Sequence, residues 1–150
     1  GMGFYTTTAN GTRSYNKIYN NTIVGNNLVI AGDPLYTNAG DLGLNLTGSN
    51  NIAFNNIWAR CYRVVITPRI KHDYNLFYNN NTKNGIIITE SHIQNLTADP
   101  FLNSAAYDFH LSAETTPGLK LNNKYSHDKD GNKRGYNSKW SRGAYQYIAP

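Results

Sequence analysis

One stretch of the chain concentrates side chains that bind anions and transfer protons. It runs from the segment RVVIT through the loop PRIKHD to the segment ESHIQ. The residues of this cluster are Arg63, Arg69, Lys71, His72, Glu90 and His92. Arginine and lysine bind carboxylates, and a histidine or lysine can remove a proton beside one. The pattern predicts a site for an anionic ligand, with Lys71, His72 and Arg69 as the candidates for catalysis.

The same residues also have a structural interpretation. Val65 and Ile87 occupy the outward positions of predicted strands, where a binding groove needs polar or aromatic side chains. An inserted loop is therefore expected to pack over that face. His72 and Asp73 fall where a turn precedes the segment YNLFYN. Because catalysis requires convergent geometry, the structural interpretation is preferred at this point.

The segment DKDGN supplies a second set of possible ligands. Asp128, Asp130 and Asn132 alternate there as in a calcium-binding loop, but the glycine position and distal glutamate of an EF-hand are missing. A solvated turn explains the same residues without a metal. No cofactor is therefore expected, and calcium is the alternative.

The basic residues are concentrated towards the end of the chain. Net charge is +5, and seven of the fourteen basic residues lie between Lys120 and Arg142. Such a segment attracts anionic polymers, either acidic polysaccharide or nucleic acid. No motif that reads nucleic acid is recognisable, so no nucleic-acid partner is expected.

Composition favours a β-rich fold with many turns. The 150 residues suit one domain, with 39% hydrophobic residues, 15% charged residues and 23 asparagines. Apolar runs are too short for a membrane span. The single Cys61 excludes an internal disulfide framework and is expected to be buried and inert. Residues 1–3 read as a tag remnant, and no signal peptide is recognisable.

Two repeating patterns predict how the chain is organised. Asparagine pairs follow an aromatic residue at positions 20–21, 55–56 and 79–80, and the segments GLNLT, RVVIT and GIIIT begin 20 and 22 residues apart. Alternation places Leu44, Val64 and Ile86 in one inner stack. Such a period predicts strands stacked in parallel coils, with asparagines bonded to one another at a shared corner.

The motifs NNTIVGN and HDYNLFYNN resemble the Asn-rich coils of the bacterial pectate-lyase-like family, which are right-handed parallel β-helices. The segments DPFLNSAAYDFHLS and DKDGNKRGYNSKWSRGAYQY resemble the C-terminal module of the choice-of-anchor Q type. The expected fold is therefore an all-β, single-stranded right-handed parallel β-helix. A lead-in at 1–13, coils at 14–98 and a capping module at 99–150 are its expected parts.

The resemblance implies an association with polysaccharide, in a secreted or cell-envelope protein of a bacterium. The first hypothesis is a glycan-binding module, the C-terminal part of a larger carbohydrate-active protein. A polysaccharide lyase or other glycan-cleaving enzyme with its site at residues 63–92 is the second. A structural or adhesive spacer is the third. Fold resemblance alone does not choose among them.

Overall fold

A computed structural model describes residues 4–5, 15–25, 41–45, 49–61, 63–66, 70–80 and 89–149, with side chains for all except 4–5, 41–45 and 63–66. The described strands are short, because left-handed corners end several of them, at Asn20, Asn55, Arg60, Tyr74 and Asn79. The strands are β1 Phe4–Tyr5, β2 Lys17–Tyr19, β3 Thr22–Val24, β4 Asp41–Asn45, β5 Asn51–Phe54, β6 Ile57–Ala59, β7 Arg63–Ile66, β8 Ile70–Asp73, β9 Leu76–Tyr78, β10 Gln94–Leu96, β11 Phe101–Asn103 and β12 Asp108–Leu111. Two single-turn 3-10 helices cover Ser104–Ala106 and Asn123–Tyr125.

The strands form three small parallel sheets and one antiparallel pair. The parallel sheets have the orders β1-β4-β7, β2-β5-β8 and β10-β9-β6-β3, and β11 pairs with β12. The prediction of a right-handed parallel β-helix is wrong: the described strands stay in separate small sheets and do not close into a solenoid. The paired strands recur at unequal spacing, 35 residues from Lys17 to Ile52 and 19 residues from Ile52 to Lys71, whereas a solenoid is built from repeats of a nearly fixed period. The chain is all-β.

The register between β4 and β7 differs from the predicted alignment. Arg63 pairs with Asp41, and Ile66 pairs with Leu44, so the two strands are offset by two residues from the predicted pairing of Leu44 with Val64. The similarity of the two strand sequences does not determine this offset, because moving one strand by two residues leaves every side chain on the same face of the sheet. Ile86 and Ile87, in the third predicted strand, lie outside the described residues.

The column of residues at the asparagine corner also differs from the prediction in its third member. Asn20 and Asn55 align with Tyr74, and all three have a left-handed backbone, with φ of 54°, 59° and 57°. Asn79 instead aligns with Arg60 at another corner, since Ala59 pairs with Tyr78. The sequence contains two kinds of corner that both use asparagine, and residue type alone does not distinguish them.

The core lies on both faces of the four-stranded sheet. In β6, Ile57, Trp58 and Ala59 are all fully buried. Trp58 packs in a cluster with Ile18 and Phe77 on one face. Ile57 and Ala59 pack in a second cluster on the other face, completed by these C-terminal side chains: Phe101, Leu111, Phe109 and Tyr147. A strand buried on both faces reads as a continuous apolar run, as IWA does here.

The C-terminal segment is fixed to the strands by hydrogen bonds. The Asn55 side chain donates from Nδ2 to the Leu119 carbonyl (2.7 Å) and accepts from the Leu119 N–H (2.7 Å). The Gly143 N–H donates to the Asn55 carbonyl, and the Ala144 N–H donates to Thr22 Oγ1. The segment therefore runs beside several strands. The division of the chain at residue 99 stays a prediction.

Candidate functional site

A ladder of buried asparagines crosses the molecule and ends at a carboxylate. The backbone N–H and the side-chain amide of Asn21 both donate to Asn56 Oδ1, each at 3.0 Å. Asn56 donates in the same way to Asn75 Oδ1, at 2.9 and 3.0 Å. Asn75 donates from its backbone N–H to Glu90 Oε2 (2.9 Å) and from Nδ2 to Oε1 (2.6 Å). Each residue thus satisfies two donors of its neighbour, as buried polar groups require.

Glu90 is the last acceptor of this ladder. Its side chain is fully buried, and Oε1 also lies 2.8 Å from His72 Nδ1. Arg142 approaches from the C-terminal segment and donates from Nη1 to the Asn75 carbonyl at 2.7 Å. Both Glu90 oxygens are therefore occupied by protein donors. The geometry gives Glu90 a structural role, because a ligand would have to displace those donors.

Asp73, Tyr74 and His92 form a second polar group next to the ladder. Asp73 Oδ2 lies 2.8 Å from His92 Nδ1, and Asp73 Oδ1 accepts from the backbone N–H groups of His92 and Tyr74. Burial raises the pKa of Asp73, but the hydrogen bonds from His92 and Tyr74 outweigh it, so the pKa of Asp73 is lowered. Asp73 is thus held as a carboxylate that orients the imidazole of His92.

The outer side of the sheet β2-β5-β8 carries cations and aromatic rings. Paired residues of neighbouring parallel strands project to the same side, so Lys17, Ile52 and Lys71 form one row. Both lysines are exposed. Their backbones are separated by two strand spacings, which is roughly 9.5 Å. Tyr19, Phe54 and Asp73 form the next row on the same side.

The aromatic row is extended by the C-terminal segment. The rings of Tyr19 and Phe54 lie 6.1 Å apart and are parallel within 2°. Tyr125 packs edge-on against Tyr19 at 5.1 Å, and Lys124 Nζ lies 4.8 Å from the centre of the Tyr125 ring. Burial and the nearby Tyr125 raise the pKa of Tyr19, against the opposing effect of Lys124. We name the surface formed by Lys17, Tyr19, Lys71, Lys124 and Tyr125 the basic–aromatic face.

The structure separates the residues of the predicted cluster. His72, Glu90 and His92 come together around the end of the ladder. Lys71 is exposed on the outer side of β8, whereas His72 projects from the opposite side of the same strand and contacts Glu90. Lys71 and His72 therefore do not converge on one point. Arg63 lies in a different sheet, and Arg69 lies outside the described residues.

Several residues of these sites were missed by the sequence reasoning. Lys17 pairs through Ile52 with Lys71, and only the register of the strands shows this. Asp73 lies on the same side of β8 as Lys71, because the two are two positions apart in the strand. Arg142 carries no local signal, since it reaches Asn75 from 67 residues away along the chain.

The candidate calcium ligands take part in a turn. Asp128 Oδ1 accepts from the N–H groups of Asp130 and Asn132, and Oδ2 accepts from Asn132 Nδ2 and the Gln146 N–H. These bonds lower the pKa of Asp128, although its burial acts in the opposite direction. In the part of the chain that the structure describes, no three His, Cys, Asp or Glu side chains are grouped to hold a metal ion. Calcium binding stays untested.

His110 links the hairpin β11–β12 to this turn. Its Nε2 lies 2.7 Å from Asp130 Oδ2, its Nδ1 lies 2.5 Å from Asp108 Oδ1, and its ring packs on Tyr145 at 4.1 Å. Hydrogen bonds to Asp130 and Asp108 raise the pKa of His110 above 6.5. The imidazole of His110 between two carboxylates thus joins two surface segments.

Replacing His110 with alanine is expected to destabilise the protein more at about pH 5.5 than at about pH 8.5. A raised histidine pKa contributes stability below the unfolded-state pKa of 6.5, and this contribution is lost as pH rises through the folded-state pKa. The effect is small because these side chains are partly exposed. Urea unfolding of both proteins at the two pH values measures it. An equal loss at both would contradict the pairing.

Cys61 is a free, buried thiol, as predicted. Burial raises the pKa of Cys61 to about 12, so the thiol stays protonated. Since the thiolate is the reactive species, this cysteine is not a nucleophile at neutral pH.

Within the described residues there is no helix of the length and apolarity that crossing a bilayer requires. Comparison of the chain with protein-family models, with curated proteins and with solved structures found no match. The resemblance to pectate-lyase-like and choice-of-anchor Q proteins therefore stays a prediction.

Proposed function

We propose that this protein binds an acidic polysaccharide along the basic–aromatic face. The observation that carries the proposal is the row of Lys17 and Lys71 beside the half-buried rings of Tyr19 and Tyr125. Lysines attract the carboxylates of a uronic-acid polymer, and the flat faces of aromatic rings pack on sugar rings. Lys124 adds a third cation, with its Nζ over the ring of Tyr125.

The charge balance of this face suits an anionic rather than a neutral ligand. Among the residues named on the outer side of the sheet, only Asp73 is acidic, and its charge is paired with His92. Two exposed lysines on alternate strands match a polymer that presents carboxylates at regular intervals. A secreted or cell-envelope location, expected from the sequence resemblance, is part of the proposal because such polymers are found outside cells.

The test is to replace Lys17 and Lys71 together with alanine and to measure binding of polygalacturonate by calorimetry. Each exposed charge contributes roughly 0.5–1 kcal/mol. The double variant is therefore expected to bind about 5- to 30-fold more weakly, with a weaker dependence on salt.

The matched control replaces Lys133 and Lys139 with alanine, which removes the same charge from exposed lysines of the C-terminal segment. This control is expected to retain affinity. If both double variants lost affinity equally, binding would depend on net charge alone, and the proposed face would be wrong.

A further inference from the structure

Two asparagine side chains begin hydrogen-bonded rows at the edge formed by β2 and β3, which are the end strands of their sheets. Asn16 donates from its backbone N–H and from Nδ2 to Asn51 Oδ1, at 3.0 and 2.8 Å. Asn21 donates in the same way to Asn56 Oδ1, at 3.0 Å in both bonds. In the described part of the chain, no group donates to Asn16 Oδ1 or Asn21 Oδ1. Each row therefore begins with an acceptor that lacks its pair of donors.

The row that begins at Asn21 has a direction. Asn21, Asn56 and Asn75 each donate to the next member, and the donors of Asn75 end on the Glu90 carboxylate. A second copy of this chain would set acceptors against acceptors at the same edge. At the Glu90 end it offers no free donor from Asn75. The edge is therefore complemented by a separate segment that brings its own donors.

The backbone of β2 and β3 supplies the other pairing groups of this edge. Alternate residues of a parallel strand bond to opposite neighbours. The Asn21 carbonyl and the Gly25 N–H both bond to β6, so the N–H and C=O groups of Thr22 and Val24 face away from it. The same alternation turns Lys17 away from β5. Edge groups of this kind pair with an added strand.

We propose that the β2–β3 edge binds an extended polypeptide segment of a partner by parallel strand addition. The segment has two asparagines five positions apart, the spacing of Asn16 and Asn21, and they donate to the two open side-chain oxygens. An apolar residue two positions after each asparagine packs beside Ile18 and Ile23, the buried residues of the two edge strands. Its backbone bonds to the outward groups of β2 and β3.

The probe is a fluorescein-labelled peptide, NKIYNNTIV, which has this asparagine spacing and both apolar positions. Fluorescence anisotropy follows its binding to the full chain at roughly 0.15 M salt, where long-range charge effects are screened. A control peptide carries aspartate in place of the first and sixth residues, so it loses the side-chain donors and sets a carboxylate against each acceptor oxygen.

The asparagine peptide is expected to bind saturably, and the aspartate peptide is expected to bind about 10-fold or more weakly. Absence of saturable binding overturns the proposal. Equal binding of the two peptides also overturns it, because the open side-chain oxygens would then not contribute to recognition.

The variant V24P tests the backbone of the edge. Proline removes an outward N–H but leaves the bonds of β3 to β6 in place, so the peptide is expected to bind about 10-fold more weakly. V24T keeps the N–H and is expected to stay within about 2-fold of the wild-type affinity. N95A changes an exposed asparagine on β10, the opposite end strand of the sheet, and is expected to bind normally. Unchanged affinity in V24P overturns the proposed edge.

Hydrogen exchange of the wild-type chain gives a readout that does not depend on the folding of a variant. Saturating peptide is expected to slow exchange of the Lys17, Thr22 and Val24 N–H groups by about 10-fold or more. Exchange of Leu96, in β10, is expected to stay the same. Protection elsewhere without protection of β2 and β3 overturns the proposal. Failure of the peptide to bind leaves the basic–aromatic face standing, because that face is formed by side chains.

Discussion

Replacing Glu90 with alanine is expected to lower the free energy of unfolding by about 3–5 kcal/mol. The carboxylate is fully buried and accepts three hydrogen bonds from Asn75 and His72. Removing it takes away the acceptor of the Asn75 N–H and of His72 Nδ1, and it removes one of the negative charges near Arg142. Urea unfolding followed by circular dichroism measures the change.

Replacing Glu90 with glutamine is expected to destabilise the protein less than replacing it with alanine. E90Q keeps one acceptor oxygen but places an amide donor against the donors of Asn75 or His72, so a loss of about 1–3 kcal/mol is expected. Glu114 is the matched control, because it pairs with Lys139 at the surface, and Glu114→Ala is expected to change stability little. Similar losses for Glu90→Ala and Glu114→Ala would show that Glu90 does not end a buried ladder.

Replacing Arg142 with alanine is expected to destabilise the protein by about 3–5 kcal/mol. The guanidinium is buried and donates to three carbonyl oxygens, those of Asn75, Thr116 and Pro117. Burial lowers the pKa of Arg142 to about 10, against the charges of Glu90, Asp73 and Tyr74, which raise it. The variant loses the contact that joins the C-terminal segment to the ladder.

Lysine cannot replace this arginine, because its single nitrogen does not span three carbonyls. R142K is therefore expected to recover little of the lost stability, and limited proteolysis should cut the C-terminal segment sooner in both variants. The double variant E90A/R142A should be less destabilised than the sum of the single changes, by about 1 kcal/mol or more. Additive losses would contradict the electrostatic coupling of the two side chains.

Local patterns in the sequence predicted the all-β class and the parallel pairing of repeated strands. Alternation in strands and asparagine at corners are properties of a few neighbouring residues, so they can be read directly. The asparagine ladder was also expected, and Asn21 and Asn56 belong to it. Its third member is Asn75 instead of Asn80, because spacing between repeats falls from 35 to 19 residues.

Such local patterns could not show whether the strands close into a β-helix. Whether strands close into a solenoid depends on the lengths of the connections and on how many repeats stack, which no single repeat shows. Similarly, Glu90 has the residue type of a catalytic group, but only the fold shows that both of its oxygens are used by Asn75 and His72. The burial of the Glu90 carboxylate therefore gives it a structural role.

The binding face depends on contacts between residues far apart in sequence. Lys17 and Lys71 are 54 positions apart, and only the register through Ile52 puts them in one row. Tyr125 reaches Tyr19 from the C-terminal segment. Such pairs could not be found without the register, because a strand sequence does not specify its partner.

The most direct test of the acidic-polysaccharide face is a titration of the wild-type chain with polygalacturonate and with neutral galactan of similar length. Saturable binding of polygalacturonate at low ionic strength, weakened by added salt and absent for galactan, is the predicted result. Equal binding of the two polymers, or no binding of polygalacturonate, would contradict the account.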